Sequence, residues 1–358
     1  MKICILGDSL TGLTLAKALV NKGIYTDIIS SKTIRKKDKS RTLGISKTNV
    51  EFFQKNILDI EDLLWDINSI EIYSENLKNE KIINFEKNNQ RLFSTIRNHE
   101  LITKLFLGLK KNKFFKLKKE SLNYESLKKK YKLVINCDLN NIISKKFFSK
   151  KFNKNYNSFA YTSIIEHQKL SNNNTAHQTF TKKGPIAFLP ISSKETSVVY
   201  SLKGDKNFSE IESLIHKFNI RYKIKRINEI KRFELKSSNL RSYYYKNILA
   251  FGDLLHKIHP LAGQGFNMSI RDIKVLLKII DSKIGTGLDL DSTICKEFEN
   301  QNKHKNYLFS YGIDFIYEFF NIEKKLNNYM ISKYLKIFAN NKISKNFLIK
   351  VADKGFLN

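Results

Sequence analysis

The most informative part of the sequence is residues 247–280, NILAFGDLLHKIHPLAGQGFNMSIRDIKVLLKII. Its apolar run at residues 248–251 ends at Gly252 and predicts a buried strand. A glycine-rich turn follows, and from Asn267 apolar residues recur at the spacing of a helix face. Glycines let backbone N–H groups approach a ligand, and a helix N-terminus favours negative charge. The stretch therefore predicts a site for an anionic group, with Asp253 placed to accept hydrogen bonds from sugar-like hydroxyls.

The same stretch resembles a flavin-binding motif of the aromatic-ring hydroxylases related to p-hydroxybenzoate hydroxylase. It is most similar to the ubiquinone-biosynthesis hydroxylases, whose segment reads close to GDAAHxxHPLAGQGxNxGxxD. The matching residues are Gly252, Asp253, His256, His259, Pro260, Leu261, Ala262, Gly263, Gln264, Gly265, Asn267 and Asp272, and the departures are Leu254, Leu255 and Ser269. An ordinary βα turn is the simpler interpretation, but it does not account for a match of this length.

The resemblance implies a set of FAD contacts within this stretch. The implied residues are Gly252, Asp253, Pro260, Gly263, Gly265 and Asn267, with Pro260 beside the isoalloxazine ring. The helix N-terminus near Asn267 would stabilise negative charge at the pyrimidine end of the flavin.

The N-terminus shows a second, weaker dinucleotide pattern. Residues 2–6, KICIL, predict a strand, residues 7–12 a turn, and a helix and second strand follow to residue 30. Ser9 stands where the fingerprint has its middle glycine, and Ser30 or Ser31 where it has an acidic residue. This is the position of the family's FAD fingerprint, so we expect Gly7, Ser9 and Gly12 to bind the cofactor. Two outcomes stay open for the serines, which would either lower FAD affinity or hydrogen-bond FAD.

Three further residues match the family's pattern less specifically. Arg41, in RTLGIS, matches an arginine that lies near the flavin, although a solvated arginine in a basic loop explains it equally well. Asp138 follows the strand-like YKLVINC and matches an Asp-Gly pair that contacts FAD. Leu139 replaces that glycine and cannot easily adopt positive φ, so the turn must differ, and with it the handling of the nicotinamide. Asn98 is better interpreted as a helix N-cap than as a cofactor contact.

Residues 158–202 alternate apolar and polar side chains between turns and predict an antiparallel sheet. Within them TFTKKGPIAFLPI resembles the hydroxylases' F-x-x-x-GPxAxLPL signature, and most of its residues would serve the sheet that walls the substrate cavity. We therefore predict an α/β fold: a Rossmann-like FAD-binding domain with an inserted antiparallel-sheet substrate domain and C-terminal helices. The expected boundaries are residues 1–68, 92–155 and 246–285 for FAD, 69–91 and 156–245 for substrate, and 286–358 for the helices.

The composition is strongly basic, with a formal net charge of +30 over 358 residues. Lysine, asparagine and isoleucine are over-used together, which indicates coding bias, and no nucleic-acid-binding module is recognisable. The charge would still draw the protein to anionic lipid headgroups. The aromatic-rich residues 308–322 and the run at 329–338 fit either a membrane-surface helix pair or helices packed on the flavin domain, and packing is the simpler interpretation.

The three cysteines have no metal-ligand spacing, and His256 and His259 lack a third ligand nearby, so no metal is expected. The sequence starts directly in a strand and contains no apolar run long enough to span a bilayer. We expect a cytoplasmic protein, with peripheral binding to the inner membrane left open.

The resemblance implies an FAD-dependent monooxygenase that uses NAD(P)H and O2 to hydroxylate a polyprenylated phenol in ubiquinone biosynthesis. No catalytic acid–base residue is expected, because a ring that already carries oxygen substituents is electron-rich. Two alternatives stay open. One is a flavin enzyme acting on another substrate, such as a soluble aromatic. The other, suggested by Ser9, Ser30 and Leu139, is a non-catalytic subunit of a quinone-biosynthesis complex.

Overall fold

Short apolar runs form the centre of a parallel sheet, as expected for strands buried on both faces. In the computed structural model this is a six-stranded sheet of order β16-β17-β9-β1-β2-β8, in which only the edge strand β16 is antiparallel. The strands are β1 (Lys2–Leu6), β2 (Tyr25–Ile29), β8 (Phe115–Lys118), β9 (Leu133–Asn136), β16 (Tyr244–Tyr245) and β17 (Ile248–Ala250). The structure describes residues 2–30, 38–75, 80–86, 90–120, 122–259 and 263–326, with residues 350 and 353.

Helices cover this sheet and complete the largest core. They are α1 (Leu10–Asn21), α2 (Lys47–Asn56), α3 (Asn98–Lys110), α4 (Tyr124–Lys130), α5 (Ile142–Phe147) and α7 (Gln264–Gly285). Ile3, Ile5, Leu15 and Ile273 are fully buried in that core. Because β1 and β17 flank β9 in parallel, the turns that follow these three strands meet at one edge of the sheet.

A second, nine-stranded sheet has the order β18-β15-β10-β13-β12-β11-β5-β6, with β14 paired to β10. Its strands are β5 (Ser69–Ser74), β6 (Glu80–Glu86), β10 (Lys151–His167), β11 (Thr175–Thr181), β12 (Gly184–Pro190), β13 (Glu195–Lys203), β14 (Ile224–Ile227), β15 (Lys231–Leu240) and β18 (His256–Lys257). Every pairing is antiparallel except that of β11 with β5. Helix α6 (Phe208–Phe218) packs over one face. The predicted antiparallel sheet is confirmed, and β5 and β6, which lie in the range 69–91 predicted for the substrate domain, belong to it.

A small third sheet links the other two. It consists of β3 (Thr42–Ser46), β4 (Trp65–Ile67) and β7 (Phe93–Arg97) in the order β3-β7-β4. Two residues of β7 contact the nine-stranded sheet. Thr95 donates a hydrogen bond to the carbonyl of Pro190 in β12, and Arg97 forms an ion pair of 2.6 Å with Glu195 in β13. The sequence did not predict these three-to-five-residue strands.

Two helix starts differ from the predictions. Helix α7 begins at Gln264 rather than Asn267, because Gly263 adopts φ +64° and acts as the N-cap three residues earlier. Asn98 is not an N-cap: strand β7 runs straight into α3, so Arg97 occupies the cap position and makes no side-chain cap bond. Asn98 is the first helical residue, and its N–H donates to the carbonyl of Arg41 at 3.1 Å.

The last described helix, α8 (Thr293–Leu326), packs along α7. Its Phe309 and Ile313 join an apolar cluster with Met268 of α7 and Phe180 of β11, so α8 bridges the FAD-side helix and the large sheet. The aromatic run at residues 329–338 lies outside the described residues. Within the described chain, no helix combines the length and apolar character needed to cross a bilayer.

Candidate active site

Three turns converge where β1, β9 and β17 end. Gly7 has φ +94°, and a Cβ placed on it would lie 2.8 Å from the Cβ of Asp138. Gly252 has φ +62°, and a Cβ there would lie 2.9 Å from a methyl carbon of Thr11 in α1. Only glycine satisfies both the backbone conformation and the spacing at these two positions. The structure therefore brings together three of the predicted groups: the turn at residues 7–12, Asp138, and the Gly252–Asp253 turn.

Ser9 serves as the N-cap of α1. Its hydroxyl accepts a hydrogen bond of 3.2 Å from the N–H of Gly12, and its φ of −64° is accessible to any residue. The residue is exposed, whereas Gly12 packs so closely that a Cβ would lie 2.5 Å from the carbonyl oxygen of Gly7. The serine thus replaces the middle glycine without backbone strain and keeps the helix N-terminus open to an anion.

Asp253 is exposed, and its carboxylate makes no hydrogen bond or ion pair with any residue the structure describes. Asp253 and Asp138 both lie close enough to the buried Cys137 to affect its thiol. Burial raises the pKa of that thiol, and the negative charges of Asp253 and Asp138 raise it further. Asp138 accepts a hydrogen bond of 2.9 Å from the N–H of Asn140. Among described non-glycine residues only Asn157 and Lys246 have positive φ, so Leu139 closes its turn without the conformation that a glycine would supply.

The N-terminus of α7 lies beside these turns and contacts both the Gly252–Leu254 turn and β3. Gly263 packs against β3, where a Cβ would lie 3.2 Å from the backbone nitrogen of Gly44. Among the described residues no side chain caps the first turn of α7, and a Cβ on Gly265 would meet none of their atoms within 4 Å. The side-chain oxygen of Gln264 is buried with no hydrogen-bond partner in the described chain. These features leave an uncompensated positive helix end that faces open space.

The Asn267 side chain is fully used by the protein. Its amide donates to the carbonyl of Gly44 at 2.8 Å, and its oxygen accepts from the N–H of Ser46 and from Asn49, each at 2.9 Å. Asn267 therefore holds β3 and α2 against α7, and its side-chain oxygen is not available to a ligand. Arg41, one residue before β3, is exposed. Pro260 lies outside the described residues.

Two other motif residues form a buried polar network behind the site. The carboxylate of Asp272 lies 2.5 Å from the Nε2 atom of His256 and accepts hydrogen bonds from Asn302 at 2.8 Å and Asn306 at 3.0 Å. All four side chains are buried, so the network fixes α8 to α7. In the described residues no group of three or more potential ligands could hold a metal ion.

Asp353, in the C-terminal segment, contacts the start of α2, a contact that the sequence did not predict. The carboxylate of Asp353 accepts hydrogen bonds from the N–H and the hydroxyl of Thr48, at 3.0 and 2.9 Å, at the N-terminus of α2. Nearby, burial and, to a smaller extent, the positive charge of Arg271 together lower the pKa of Lys274 to about 8. No sequence pattern marks a contact made across more than three hundred residues.

Comparison with known proteins agrees with this geometry. Residues 205–287 match the family model described as FAD binding domain. The whole fold resembles p-nitrophenol 4-monooxygenase from Pseudomonas putida, with a TM-score of 0.78, 10% identity, and 99% and 98% of the two chains covered. It also resembles Klebsiella pneumoniae HpxO complexed with FAD and uric acid, with a TM-score of 0.75, 12% identity, and 100% and 98% covered. The chain therefore shares the fold of these two proteins. The predicted α/β fold and family resemblance are confirmed.

Among curated proteins the similarity is to ubiquinone-biosynthesis hydroxylases. The mitochondrial monooxygenase COQ6 of Dictyostelium discoideum is 27% identical over 186 residues, 41% of this chain and 38% of that protein. The Schizosaccharomyces pombe protein of the same name is 23% identical over 63% of this chain and 57% of its own length. The 3-demethoxyubiquinol 3-hydroxylase of Escherichia coli is 28% identical over 39% of this chain and 38% of that protein. The matches thus span about two fifths to three fifths of these relatives.

The described residues fit FAD. Closely packed glycines, an open N-terminus at both α1 and α7, and an exposed carboxylate between them are the chemistry that a long anionic dinucleotide with a hydroxyl-bearing linker requires. Together with the FAD binding domain match, they support FAD as the cofactor.

Proposed function

We propose that this protein is an FAD-dependent monooxygenase that uses NAD(P)H and O2 to hydroxylate the ring of a polyprenylated phenol in ubiquinone biosynthesis. The observation that carries the proposal is the meeting of the turns at Gly7, Asp138 and Gly252 with the uncapped N-terminus of α7. The similarity to COQ6 and to 3-demethoxyubiquinol 3-hydroxylase supports the choice of substrate class.

When bound, FAD supplies the redox chemistry that transfers an oxygen atom from O2 to the ring. The chain would hold it with residues of three turns. The N-terminus of α1, capped by Ser9, would bind the pyrophosphate, and Asp253 would accept hydrogen bonds from the linker hydroxyls. Backbone N–H groups at the start of α7, including that of Gly265, would stabilise negative charge at the flavin's pyrimidine end.

The nine-stranded sheet would bind and orient the substrate. The Ser40 hydroxyl lies 3.5 Å from that of Thr162, so one face of this sheet abuts the segment that leads into β3. Beside that face lies the apolar cluster of Phe180, Met268 and Phe309. Such a surface suits a ring with an apolar tail and excludes water from the reacting atoms.

We further propose that the protein works at an anionic membrane surface, since a prenylated phenol resides in the bilayer. The net charge is +30, and Leu308, Tyr311 and Phe315 on α8 are 47–67% exposed. Basic charge with exposed apolar side chains is the combination that peripheral membrane binding requires.

A non-catalytic subunit is the less favoured alternative. It is suggested by Ser9, Ser30 and Leu139. Ser9, however, caps α1 without strain, and Leu139 closes its turn without positive φ. These two substitutions therefore introduce no backbone strain into the turns that would hold the cofactor. A hydroxylase of a soluble aromatic is the second alternative.

The test is turnover by the FAD-reconstituted protein. We expect NAD(P)H oxidation stimulated by a short-tailed prenylphenol, with a product that has gained one oxygen atom by mass spectrometry. Asp289→Ala, which removes one partner of an exposed ion pair with Lys132, serves as a control and should behave as wild type. Hydroxylation of untailed phenols alone would contradict the substrate assignment, and FAD binding without NAD(P)H oxidation by any phenol would favour the subunit.

A further inference from the structure

A row of directly opposed residues crosses the centre of the nine-stranded sheet. Strand register pairs Ile72 with Gln178, Gln178 with Ala187, Ala187 with Val199, and Val199 with Thr162. Residues paired in this way point to the same face of a sheet. Thr162 contacts Ser40, so this row lies on the face turned toward the proposed flavin site.

The two faces of the sheet differ in burial. On strand β12, Ile186 and Phe188 are fully buried, and they pack in the cluster under α6. Their neighbours Ala187 and Leu189 point the other way and are half-buried. Every member of the row is half-buried as well, although β11, β12 and β13 are interior strands of the sheet. Solvent-accessible space therefore lies over this face.

Gln178 brings the central polar group to this row. Its neighbours on either side are Ile72 and Ala187, and Phe180 two residues along belongs to the apolar cluster with Met268. The Gln178 side chain makes no hydrogen bond with any described residue. By contrast, His177 on the opposite face is stacked on Phe188 with ring centroids 4.5 Å apart. A half-buried amide in an apolar surround favours a ligand that completes its hydrogen bonds.

The charge of this row constrains the ligand. An aromatic carboxylate bound at its centre would need a cation, usually an arginine in bidentate geometry. The row continues from Thr162 to Lys231, at its far end, and that amine already pairs with Glu229. Between Ile72 and Thr162 the row carries no charged side chain. An amide, which both donates and accepts, matches a neutral hydroxyl instead.

We propose that Gln178 is a specificity-determining residue whose amide hydrogen-bonds the phenolic hydroxyl of an uncharged, tail-bearing ring on the sheet face of Ile72, Ala187 and Val199. The inference rests on the proposed function and narrows its substrate to phenols without a ring carboxylate. The amide orients the ring by its oxygen, and the apolar cluster beside Phe180 takes the tail.

The test compares binding of a geranyl-substituted phenol and its O-methyl ether to the FAD-reconstituted protein by isothermal titration calorimetry. The ether cannot donate a hydrogen bond to the amide oxygen. We expect wild type to bind the phenol about 3- to 10-fold more tightly, as for one neutral hydrogen bond. In Gln178→Leu the ratio of the two Kd values should fall to about 1. A ratio of affinities cancels general damage to the site, so it reports the hydrogen bond itself.

Gln168→Leu is the matched control, because Gln168 is exposed beyond the end of β10. It should keep the wild-type ratio. A wild-type ratio in Gln178→Leu would overturn the assignment of Gln178. Equal binding of the phenol and a ring carboxylate of the same tail length by wild type would overturn the uncharged substrate class. Failure of the proposed function is a different result: wild-type protein that hydroxylates none of these phenols.

Discussion

Single residues decide whether the degraded fingerprint near the N-terminus still works. Ser9 occupies a position where the dinucleotide pattern has glycine, yet its φ of −64° and ψ of 164° need no glycine. The positions that do need glycine are Gly7, Gly12 and Gly252, where a Cβ would collide with neighbouring atoms at 2.5 to 2.9 Å. Glycine is therefore present at the three positions where a side chain would collide, and the helix cap Ser9 stands at the position where a side chain is tolerated.

Replacing Ser9 should therefore affect stability more than cofactor binding. Ser9→Ala removes the acceptor for the Gly12 N–H and should lower the free energy of unfolding by about 1 kcal/mol, whereas Ser9→Gly should cost only about a few tenths. Urea unfolding measures both. Ser213→Ala, on the exposed face of α6, is the control and should cost nothing. A loss in Ser9→Ala no greater than in Ser213→Ala would show that the cap bond contributes nothing.

Residue types tied to a local motif could be predicted from the sequence, whereas the partners that a side chain finds in the fold could not. Asp253 and Gly252 could be predicted because their residue types are tied to a local turn and to a recognisable motif. Asn267 was predicted as a cofactor contact, and only the fold reveals that its side chain is consumed by Gly44, Ser46 and Asn49. Gln178 could have been found from the alternation in β11, but only the folded sheet shows that its side chain has no hydrogen-bond partner among the described residues.

At the scale of elements, the C-terminal segment supports the flavin side of the molecule through α2. Ser46 is the N-cap of α2, but its side chain makes no cap bond and instead donates to the carbonyl of Asp353. The Asp353 carboxylate takes the vacant role and accepts from the N–H of Thr48. A carboxylate at a helix N-terminus is favourable for two reasons. It accepts a hydrogen bond from an otherwise unpaired N–H group, and its negative charge is attracted to the positive end of the helix dipole.

Asp353→Ala should destabilise the protein by about 1 kcal/mol, and Asp353→Asn by less, because the amide oxygen still accepts a hydrogen bond. Thermal and urea unfolding are the measurements. Asp289→Ala, which breaks only the exposed pair with Lys132, is the matched aspartate control. If Asp353→Ala were as stable as that control, the cap across the chain would make no contribution.

Elements with a strong local apolar pattern were predicted well, and elements without one were not. Strands β1, β9 and β17 are near-continuous apolar runs, which single out a parallel sheet. The sheet of β3, β4 and β7 was missed because its strands, TLGIS, WDI and FSTIR, interrupt their apolar residues with polar ones or glycine and gain their partners only from distant segments. Helix α7 starts three residues earlier than predicted because Gly263 turns the chain.

For the whole molecule, the two-part architecture followed from the family resemblance together with the order of patterns along the chain. The FAD binding domain model matches residues 205–287, a range that crosses the boundary predicted at residue 246. Strand β18, within the predicted FAD segment, pairs with β15 of the large sheet. The two parts thus share elements. Sequence patterns do not show such sharing, because it depends on contacts between segments far apart in the chain.

The net charge of +30 gives a prediction at this scale. The protein should sediment with vesicles that contain anionic lipid and not with zwitterionic ones, and salt should release it, because exposed charges are screened over about 10 Å at 0.1 M salt. Tyr311→Ser should weaken binding to anionic vesicles at unchanged charge, and Leu107→Ser, an equally exposed apolar site on α3, should not. Equal effects of the two changes would contradict a role for α8 in membrane binding. Sedimentation with neither kind of vesicle would contradict membrane binding altogether.

Equilibrium titration of the purified protein with FAD, in wild type and in Asp253→Ala, tests the central claim most directly. We expect wild type to take up one FAD per chain. Asp253→Ala should bind about 10- to 100-fold more weakly, since it loses hydrogen bonds to a charged acceptor. Asp289→Ala should match wild type. A wild-type protein that stays colourless at saturating FAD, or an Asp253→Ala variant with undiminished affinity, would contradict the site described here.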